Sequence, residues 1–296
     1  MKMAPGHIAL AVLCNVIWGF SFITAKIGVG HFPPLFFTAL RFTLVALVLG
    51  AALKPLAGRG KEIIGIAMTV GTFHFVFLYL GIQQAGGVSA VAITIQLIAP
   101  FSLLLSIIFL KESVGWHRII ALGLSFAGVM VLGFDPVVFN YLEAVGLVAV
   151  AALAMSVGLI QMRRIKGVGT FELQAWIGVI CAPQVFILSF WLEEGQWDAL
   201  MTADIKIFGS LIFAALVTTI IAHSSWFHLL QRYPVNLLLP LGLLAPVFGV
   251  TFGVLLFSEP LSLRFIIGGL MTLSGVAIIH FRTPAKGLID KTPESA

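Results

Sequence analysis

The chain has 296 residues, of which 60% are hydrophobic and only 10% charged, and its mean hydropathy is +1.10. Soluble domains are about a quarter charged and under half apolar, so this composition excludes a soluble protein and indicates an integral membrane one. The formal charge of +5 comes from 17 Lys and Arg against 12 Asp and Glu, and the cations sit in short connections between apolar runs, where they set membrane orientation and do not indicate nucleic-acid binding.

A helix crosses the hydrocarbon core with about 20 apolar residues. Runs broken by charge, Pro or Gly predict ten such helices at approximately 7–28, 33–53, 63–83, 88–109, 116–134, 142–162, 172–191, 207–229, 235–257 and 262–281. The first run follows Lys2, carries Asn15, Trp18 and Lys26, and lacks a small-residue cleavage site, so it is expected to be retained as a span. Lys54 to Lys61, Lys111 to Gly115 and Arg163 to Thr170 are polar enough to be loops. The final stretch, 283–296, with Pro284, Lys286, Asp290, Lys291 and Pro293, is expected to be a disordered cytoplasmic tail. Strands of a β-barrel would alternate over about ten residues, whereas these runs are longer and continuous. The fold class is therefore an all-α membrane protein with ten transmembrane helices.

Ten spans return both termini to one side. That side holds Lys2, Lys54, Arg59, Lys61, Lys111, Arg118, Arg163, Arg164, Lys166, Arg232, Arg282, Lys286 and Lys291, whereas the opposite side holds only Lys26, Lys206 and Arg264. The excess of cations places both termini in the cytoplasm. Asp135, Glu193, Glu194, Asp198 and Asp204 fall in the two longest outer loops.

The stretch from Glu112 to Leu132 can be laid on Glu259 to Ile279 without a gap, so that Ile119-Ile120 meets Ile266-Ile267, Ser125 meets Thr272 and Gly128 meets Gly275. Ala99-Pro100 answers Ala245-Pro246, and Trp18-Gly19 falls opposite Val157-Gly158. Two halves of five helices follow, at 1–136 and 137–282. Because five is odd, the second half must enter the membrane inverted, an architecture common in secondary transporters that hold substrate between the halves. The competing explanations are duplication in a structural membrane protein, or a membrane enzyme. An enzyme needs a nucleophile and base, a metal set or a phosphate loop, and the sequence offers none. Cys14 and Cys181 lie in apolar runs, away from any disulfide framework or thiolate cluster. No metal or cofactor is expected.

The residues that carry the repeat also carry a resemblance. Val16-Ile17-Trp18-Gly19-Phe20-Ser21, Pro33-Pro34 with Arg41-Phe42, Ala99-Pro100 to Lys111-Glu112, and Ala245-Pro246 to Ser258-Glu259 resemble the EamA domain of the drug/metabolite transporter (DMT) superfamily, twice over nearly the whole chain. Within that superfamily, Ala214 to Glu259, with Trp226, Arg232-Tyr233 and Leu241 to Pro246, looks most like the bacterial inner-membrane exporters of O-acetylserine and cysteine. The resemblance implies efflux of small amino-acid metabolites. Aromatic amino acids, threonine, purines and drugs stay open, because the superfamily carries them on the same scaffold. Val157 stands where the first half has Trp18, so the halves are not expected to contribute equally.

Polar groups within a span are costly and usually face a bundle interior or a wet cavity. Near the middle of predicted spans lie Asn15, His74, Gln96, Gln184 and His223, with Arg41 about a third of the way in. Asn15, Trp18 and Phe22 share one face of the first helix, and Trp226 lies one turn beyond His223. These residues are the candidates for substrate binding, with amide and imidazole groups bonding a zwitterion and Trp18, Phe22 and Trp226 as an apolar wall. Alternatively, each polar group is a bond between helices. Arg41 could hold a substrate carboxylate, or could bind carbonyls or snorkel outward. Pro100, Pro240 and Pro246 are candidate helix breaks, serving gating or permanent bends. Glu112 and Glu259 precede Gly115 and Ser262, acceptable N-caps, so both acids are expected to serve the start of the helix that follows. Trp116, Tyr141, Trp191 and Tyr233 fit an aromatic belt.

No Asp or Glu lies deep in a predicted span, so proton coupling would rest on His74 or His223; facilitated diffusion is the alternative. The partners expected are a small-molecule metabolite and the lipid bilayer, with no nucleic acid. The sequence leaves a homodimer open.

Overall fold

The computed structural model describes residues 3–56, 58–110, 114–165, 167–233, 238 and 241–281. Glu112, Pro240 and the 283–296 tail lie outside the described residues. Those residues are helical, with no strand among them.

In chain order, α1 (Pro5–Val29) is followed by α2 (Pro34–Leu49), which tightens into a 3₁₀ turn at Gly50–Ala52. Then α3 (Gly60–Ile66), a π-helical segment Ala67–Phe73 and α4 (His74–Gln84) form one continuous rod. A second rod joins α5 (Val88–Thr94), a 3₁₀ turn Ile95–Leu97 and α6 (Ile98–Leu110). Next come α7 (Trp116–Gly133), the short α8 (Pro136–Phe139), α9 (Leu142–Arg164), α10 (Thr170–Leu192) and α11 (Gln196–Thr202). The rod of α12 (Ile205–Ile212), a second π-helical segment Phe213–Ala222 and α13 (His223–Arg232) precedes α14 (Leu244–Phe257) and α15 (Leu263–Phe281). Among the described residues, eight continuous helices are long and apolar enough to cross a membrane, and Leu244–Phe257 and Leu263–Ile279 are shorter apolar helices. The protein is thus a multi-pass membrane protein, with helix limits close to the hydropathy breaks.

Proline marks several starts. Pro5, Pro34 and Pro136 stand at the beginning of their helices, where the missing N–H has no partner to lose. Pro246 occupies the first turn of α14, and Pro100 the first turn of α6, at the middle of the continuous Val88–Phe109 span. Pro100 cannot donate to the Gln96 carbonyl four residues back, and the chain tightens into its 3₁₀ turn there. Pro183 is internal to α10.

Helix pairing is regular. α7 packs on α15, α2 on α10, α4 and Ala67–Phe73 on α9, α1 on α14, α6 on α9, and α1 on Phe213–Ala222 and α13. The α7–α15 seam is made by backbone: a Cβ at Gly128 would stand 2.7 Å from the Gly268 carbonyl, and one at Gly275 would stand 2.6 Å from that of Ala121. Thr272 and Ser125 at this crossing turn their hydroxyls back to their own helices, onto Gly268 at 2.9 Å and Ala121 at 3.0 Å. Small residues let membrane helices approach this closely, where dispersion and not hydrophobic burial holds them. A larger aromatic cluster, with Phe36, Phe37, Tyr79, Ile82 and Val148, fills the centre.

At one end of the bundle, acids hold helix starts. The Glu193 carboxylate accepts from the amides of Leu35 and Phe36 at 2.8 and 3.0 Å, and that of Glu259 from Val88 and Ser89 at 2.6 and 2.9 Å. Glu259 therefore caps α5 from across the bundle and does not serve the helix that follows it. That helix is capped by Ser262, whose Oγ accepts from the Phe265 amide at 3.0 Å. Asp135 caps α8 through Val137 and Val138 and also accepts from the Ser262 hydroxyl. Its burial raises the carboxyl, but these hydrogen bonds and the Arg264 charge hold it below the ordinary carboxylate value. Lys26 closes the same end by donating to the Ile82 and Gln83 carbonyls at 2.9 and 3.3 Å. Trp116, Tyr141 and Trp191 are exposed, as a belt requires, whereas Tyr233 is buried and its hydroxyl meets His7 Nδ1 at 2.6 Å.

Candidate functional site

Both π-helical segments end at a histidine: Ala67–Phe73 runs into His74, and Phe213–Ala222 into His223. π segments widen a helix by one residue per turn, misalign its ladder, and recur at functional sites. Side chains compensate here with the same five-residue step. Thr219 Oγ1 donates to the Ala214 carbonyl at 2.9 Å, and His223 Nδ1 meets the Thr218 carbonyl at 2.6 Å. His74 Nδ1 instead reaches across to the Ala151 carbonyl of α9 at 2.9 Å. A carbonyl only accepts, so the proton of each neutral imidazole is assigned to Nδ1, and Nε2 is left as an acceptor.

Trp18 on α1 meets the α12–α13 rod at His223. Its ring lies 5.5 Å from the His223 ring and 5.1 Å from that of Trp226, in the tilted and edge-on geometries aromatic pairs favour. The indole Nε1 is buried and has no hydrogen-bond partner. One turn earlier, Asn15 is fully buried; its Nδ2 donates to the Ala11 carbonyl at 2.7 Å, but Oδ1 is unpartnered. Beside His223, the hydroxyls of Thr218 and Ser224 are buried and unpartnered as well. Each such orphan costs about 1–3 kcal/mol relative to a bonded group. Phe22 continues the α1 face against α14, its ring 3.2 Å from where a Cβ at Gly249 would stand.

Arg41 is 2% exposed. Its Nη2 donates to Thr219 Oγ1 at 2.7 Å and its Nη1 to the Tyr79 hydroxyl, while its Cζ stands 3.9 Å over the Phe75 ring. Nε has no partner, and no carboxylate pairs with the guanidinium among the described residues. Neither of the two structural roles open to it in the sequence is taken: no carbonyl holds it, and it does not snorkel to the surface.

The expected residues are thus brought together in part. Trp18, His223 and Trp226 touch, Asn15 and Phe22 flank them on α1, and Arg41 reaches the His223 rod through Thr219. His74 sits one rod away with its ring edge-on at 4.7 Å to Phe75, the ring over which Arg41 stands. Gln96 is half-buried in the Ile95–Leu97 turn without a hydrogen bond of its own, and Pro100 and Pro246 mark the two helix starts described above. A recess of about 60 Å³ beside Ser89, Thr94, Asp135, Tyr141 and Glu259 lies at the capped end and is lined by none of the expected residues. Among the described residues, no group of three or more His, Cys, Asp or Glu is placed to hold a metal. Tyr79, Thr218, Thr219 and Ser224 were not singled out by sequence. The signal for them was the Thr218-Thr219 pair inside an apolar run and Tyr79 four residues after Phe75, on one helix face.

The EamA-like transporter family matches residues 6–134 and, separately, 142–281. A protein of Escherichia coli (strain K12) described as a probable amino-acid metabolite efflux pump is 28% identical over 281 residues, covering 92% of this chain and 94% of that one. A probable terminal-alkyne amino-acid exporter of Streptantibioticus cattleyicolor is 26% identical over 306 residues, covering 99% of each chain. One crystallised protein shares the fold with a TM-score of 0.63 at 20% identity, over 92% of this chain and 95% of its own.

Proposed function

This chain belongs to the EamA-like transporter family, and from that premise we propose that it exports small amino-acid metabolites of the O-acetylserine and cysteine kind across a bacterial inner membrane by alternating access. Membership makes it a membrane transporter and not an enzyme. The substrate class is supported by the similar chains described as an amino-acid metabolite efflux pump and an amino-acid exporter. The double family match supports two halves, at 1–136 and 137–282, and the hydropathy pattern and cation excess support ten spans with both termini cytoplasmic. Helix pairing supports their inversion. Exchanging the halves turns the contact of α1 with Phe213–Ala222 into that of α9 with Ala67–Phe73, and that of α1 with α14 into that of α9 with α6. The pairs α7–α15 and α2–α10 map onto themselves. Any two-fold exchange of the halves has this signature, and five spans in each half would put the axis in the membrane plane, with substrate bound where the repeats meet.

The observation that carries the site is the contact of Trp18, from the first half, with His223 and Trp226, from the second, around an indole N–H without a partner. Asn15 Oδ1 and His223 Nε2 accept from the substrate ammonium, and the indoles wall its side chain. In this state the rings touch and the capped end is closed, so loading requires the halves to part. Transport is facilitated diffusion, since no carboxylate among the described residues reaches the histidines.

Counterflow in proteoliposomes tests this. Vesicles preloaded with cysteine or O-acetylserine should exchange with labelled external substrate, and phenylalanine should not. The rate should be flat across an imposed proton gradient. Absence of exchange by folded protein removes the amino-acid assignment, and accumulation that is lost in His74→Ala or His223→Ala removes the facilitated mode.

A further inference from the structure

We infer that Arg41 is the receptor for the substrate carboxylate, held between turnovers by the hydroxyls of Tyr79 and Thr219, which the carboxylate displaces. This rests on the Trp18–His223 cluster being the transport site.

A guanidinium in a membrane interior is costly and normally pairs with an acid or marks a substrate path. Arg41 is buried at 2% exposure, its hydrogen-bond partners are two neutral hydroxyls, and its Nε–H is unpartnered. A guanidinium presents five donors in a planar fork that matches a carboxylate through two parallel bonds. Hydroxyls accept singly and carry no charge, so they hold the fork in place without neutralising it. The missing component is a planar anion.

Position supports the same assignment. Thr219 lies four residues before His223 on one rod, so Arg41 reaches that rod about one helical turn before His223. A carboxylate at Arg41 and an ammonium near His223 Nε2 and the indole faces bracket an α-amino acid, whose two charged groups are separated by one carbon. Thr219 also bonds the Ala214 carbonyl inside the π segment. When substrate takes the guanidinium, Thr219 is released from Arg41, and the load on that segment changes where its ladder is weakest. Substrate arrival is thereby linked to the element that can shift register.

The test compares acids with their neutral amides, using full-length protein. Cysteine and cysteinamide, and threonine and threoninamide, are measured as competitors in counterflow and as thermal stabilisers of the purified protein. The acids should outcompete the amides at least tenfold in the native protein. Arg41→Lys should keep part of that ratio and Arg41→Gln should abolish it. Tyr79→Phe and Thr219→Val remove competing partners without altering side-chain volume much, and should tighten the acids severalfold while leaving the amides unchanged. Equal affinity for acids and amides in the native protein, or an undiminished ratio in Arg41→Gln, overturns the inference. If Arg41→Gln does not fold, an unchanged ratio in both hydroxyl variants overturns it. Export of cysteine and cysteinamide alike would leave the transport reading standing and remove the role of Arg41. Arg41-dependent stabilisation by propionate but not propionamide, without amino-acid exchange, would do the reverse.

Discussion

The seam between α7 and α15 gives a sharp mechanical prediction, because two glycines on one helix meet different surroundings. A Cβ at Gly128 would lie 2.7 Å from the Gly268 carbonyl and closer still to Thr272, whereas a Cβ at Gly123 meets nothing within 4 Å. Ordinary contact begins near 3.4 Å and the Thr272 amide nitrogen would be 2.4 Å away, so Gly128→Ala must part the helices by about 1 Å. That nitrogen and the Gly268 carbonyl are backbone and cannot rotate aside. Overpacking of this kind costs roughly 1–3 kcal/mol. Alanine also gains about 1 kcal/mol of helix propensity over glycine, but Gly123→Ala gains the same, so the difference between the variants isolates the steric cost. The assay is thermal unfolding of both proteins in one detergent, read by tryptophan fluorescence and by the monodisperse fraction left after heating. Gly128→Ala should melt several degrees below Gly123→Ala, at roughly 2–4 °C per kcal/mol. Gly275→Ala should lose a similar amount, and the double variant less than the sum, since the first substitution already opens the crossing. Equal midpoints for Gly128→Ala and Gly123→Ala would refute backbone contact as the basis of this seam.

Trp18→Phe keeps a ring beside His223 and Trp226 but removes an N–H that bonds no protein atom. The melting midpoint should hold while apparent substrate affinity in counterflow falls severalfold; a matched loss of stability would assign the indole a structural role. Glu193→Gln and Glu259→Gln each replace a charged acceptor of two amides by a neutral one, and each should cost about 1–2 kcal/mol in thermal unfolding. Asp135 is held below its ordinary value by Ser262, the Val137 and Val138 amides and Arg264, so its contribution is present at neutral pH and lost as pH falls through that lowered value. Asp135→Asn should lower the midpoint at pH 7 and flatten the acid side of the stability profile, and an unchanged profile would sink this assignment. Ser89→Cys with Gly253→Cys joins α5 to α14 at the capped end, where Ser89 Oγ lies 2.6 Å from a Cβ placed at Gly253. Oxidation should stop exchange and reductant restore it, whereas a Ser125→Cys with Gly275→Cys bridge in the seam should leave exchange running; the opposite pattern would reverse the assignment of moving and fixed contacts.

Much of the fold was legible because bilayer physics is written in long apolar runs. Pro5–Val29, Val88–Phe109 and Thr170–Leu192 sit within a few residues of where hydropathy broke. The internal sequence alignment coincides with a contact at one place. Ser125, Gly128, Thr272 and Gly275 align with one another in sequence and also meet across the α7–α15 crossing. The site was only half legible. Rare polar types in apolar runs pointed to Asn15, His74 and His223, and helical spacing put Trp18 and Trp226 beside them. The π segments were invisible, because no residue pattern distinguishes Phe213–Ala222 from an α-helical run of the same composition. With them went Thr219, whose bond to Ala214 depends on the five-residue step. Tyr79 was hidden for another reason: its contact with Arg41 joins separate helices, and periodicity within one helix does not report it. Glu259 was misassigned by the same blindness, since a carboxylate two residues past a helix can cap a distant one as readily as its neighbour.

These features divide the molecule into a part suited to stay fixed and a part suited to move. At the α7–α15 seam, backbone meets backbone through Gly128, Gly268 and Gly275, and sliding by a fraction of an ångström would drive carbonyls into one another. Rotation about the seam is permitted where translation is not. Backbone also comes close between α2 and α10 at Gly178 and between α1 and α14 at Gly19, but around the candidate site elements of the two family-matched stretches meet through side chains: Trp18 on His223, Arg41 on Thr219, His74 on the Ala151 carbonyl. All three contacts involve a rod that carries a π-helical segment, whose misaligned ladder is the least costly stretch to rewind. Glu193 and Glu259 then oppose the rotation, since parting that end strips two amides from each carboxylate. A carboxylate released into water at a bundle end recovers most of that loss by hydration, which keeps the barrier within a few kcal/mol. The closed state is therefore held by contacts that water or substrate can replace, and the axis by contacts that neither can.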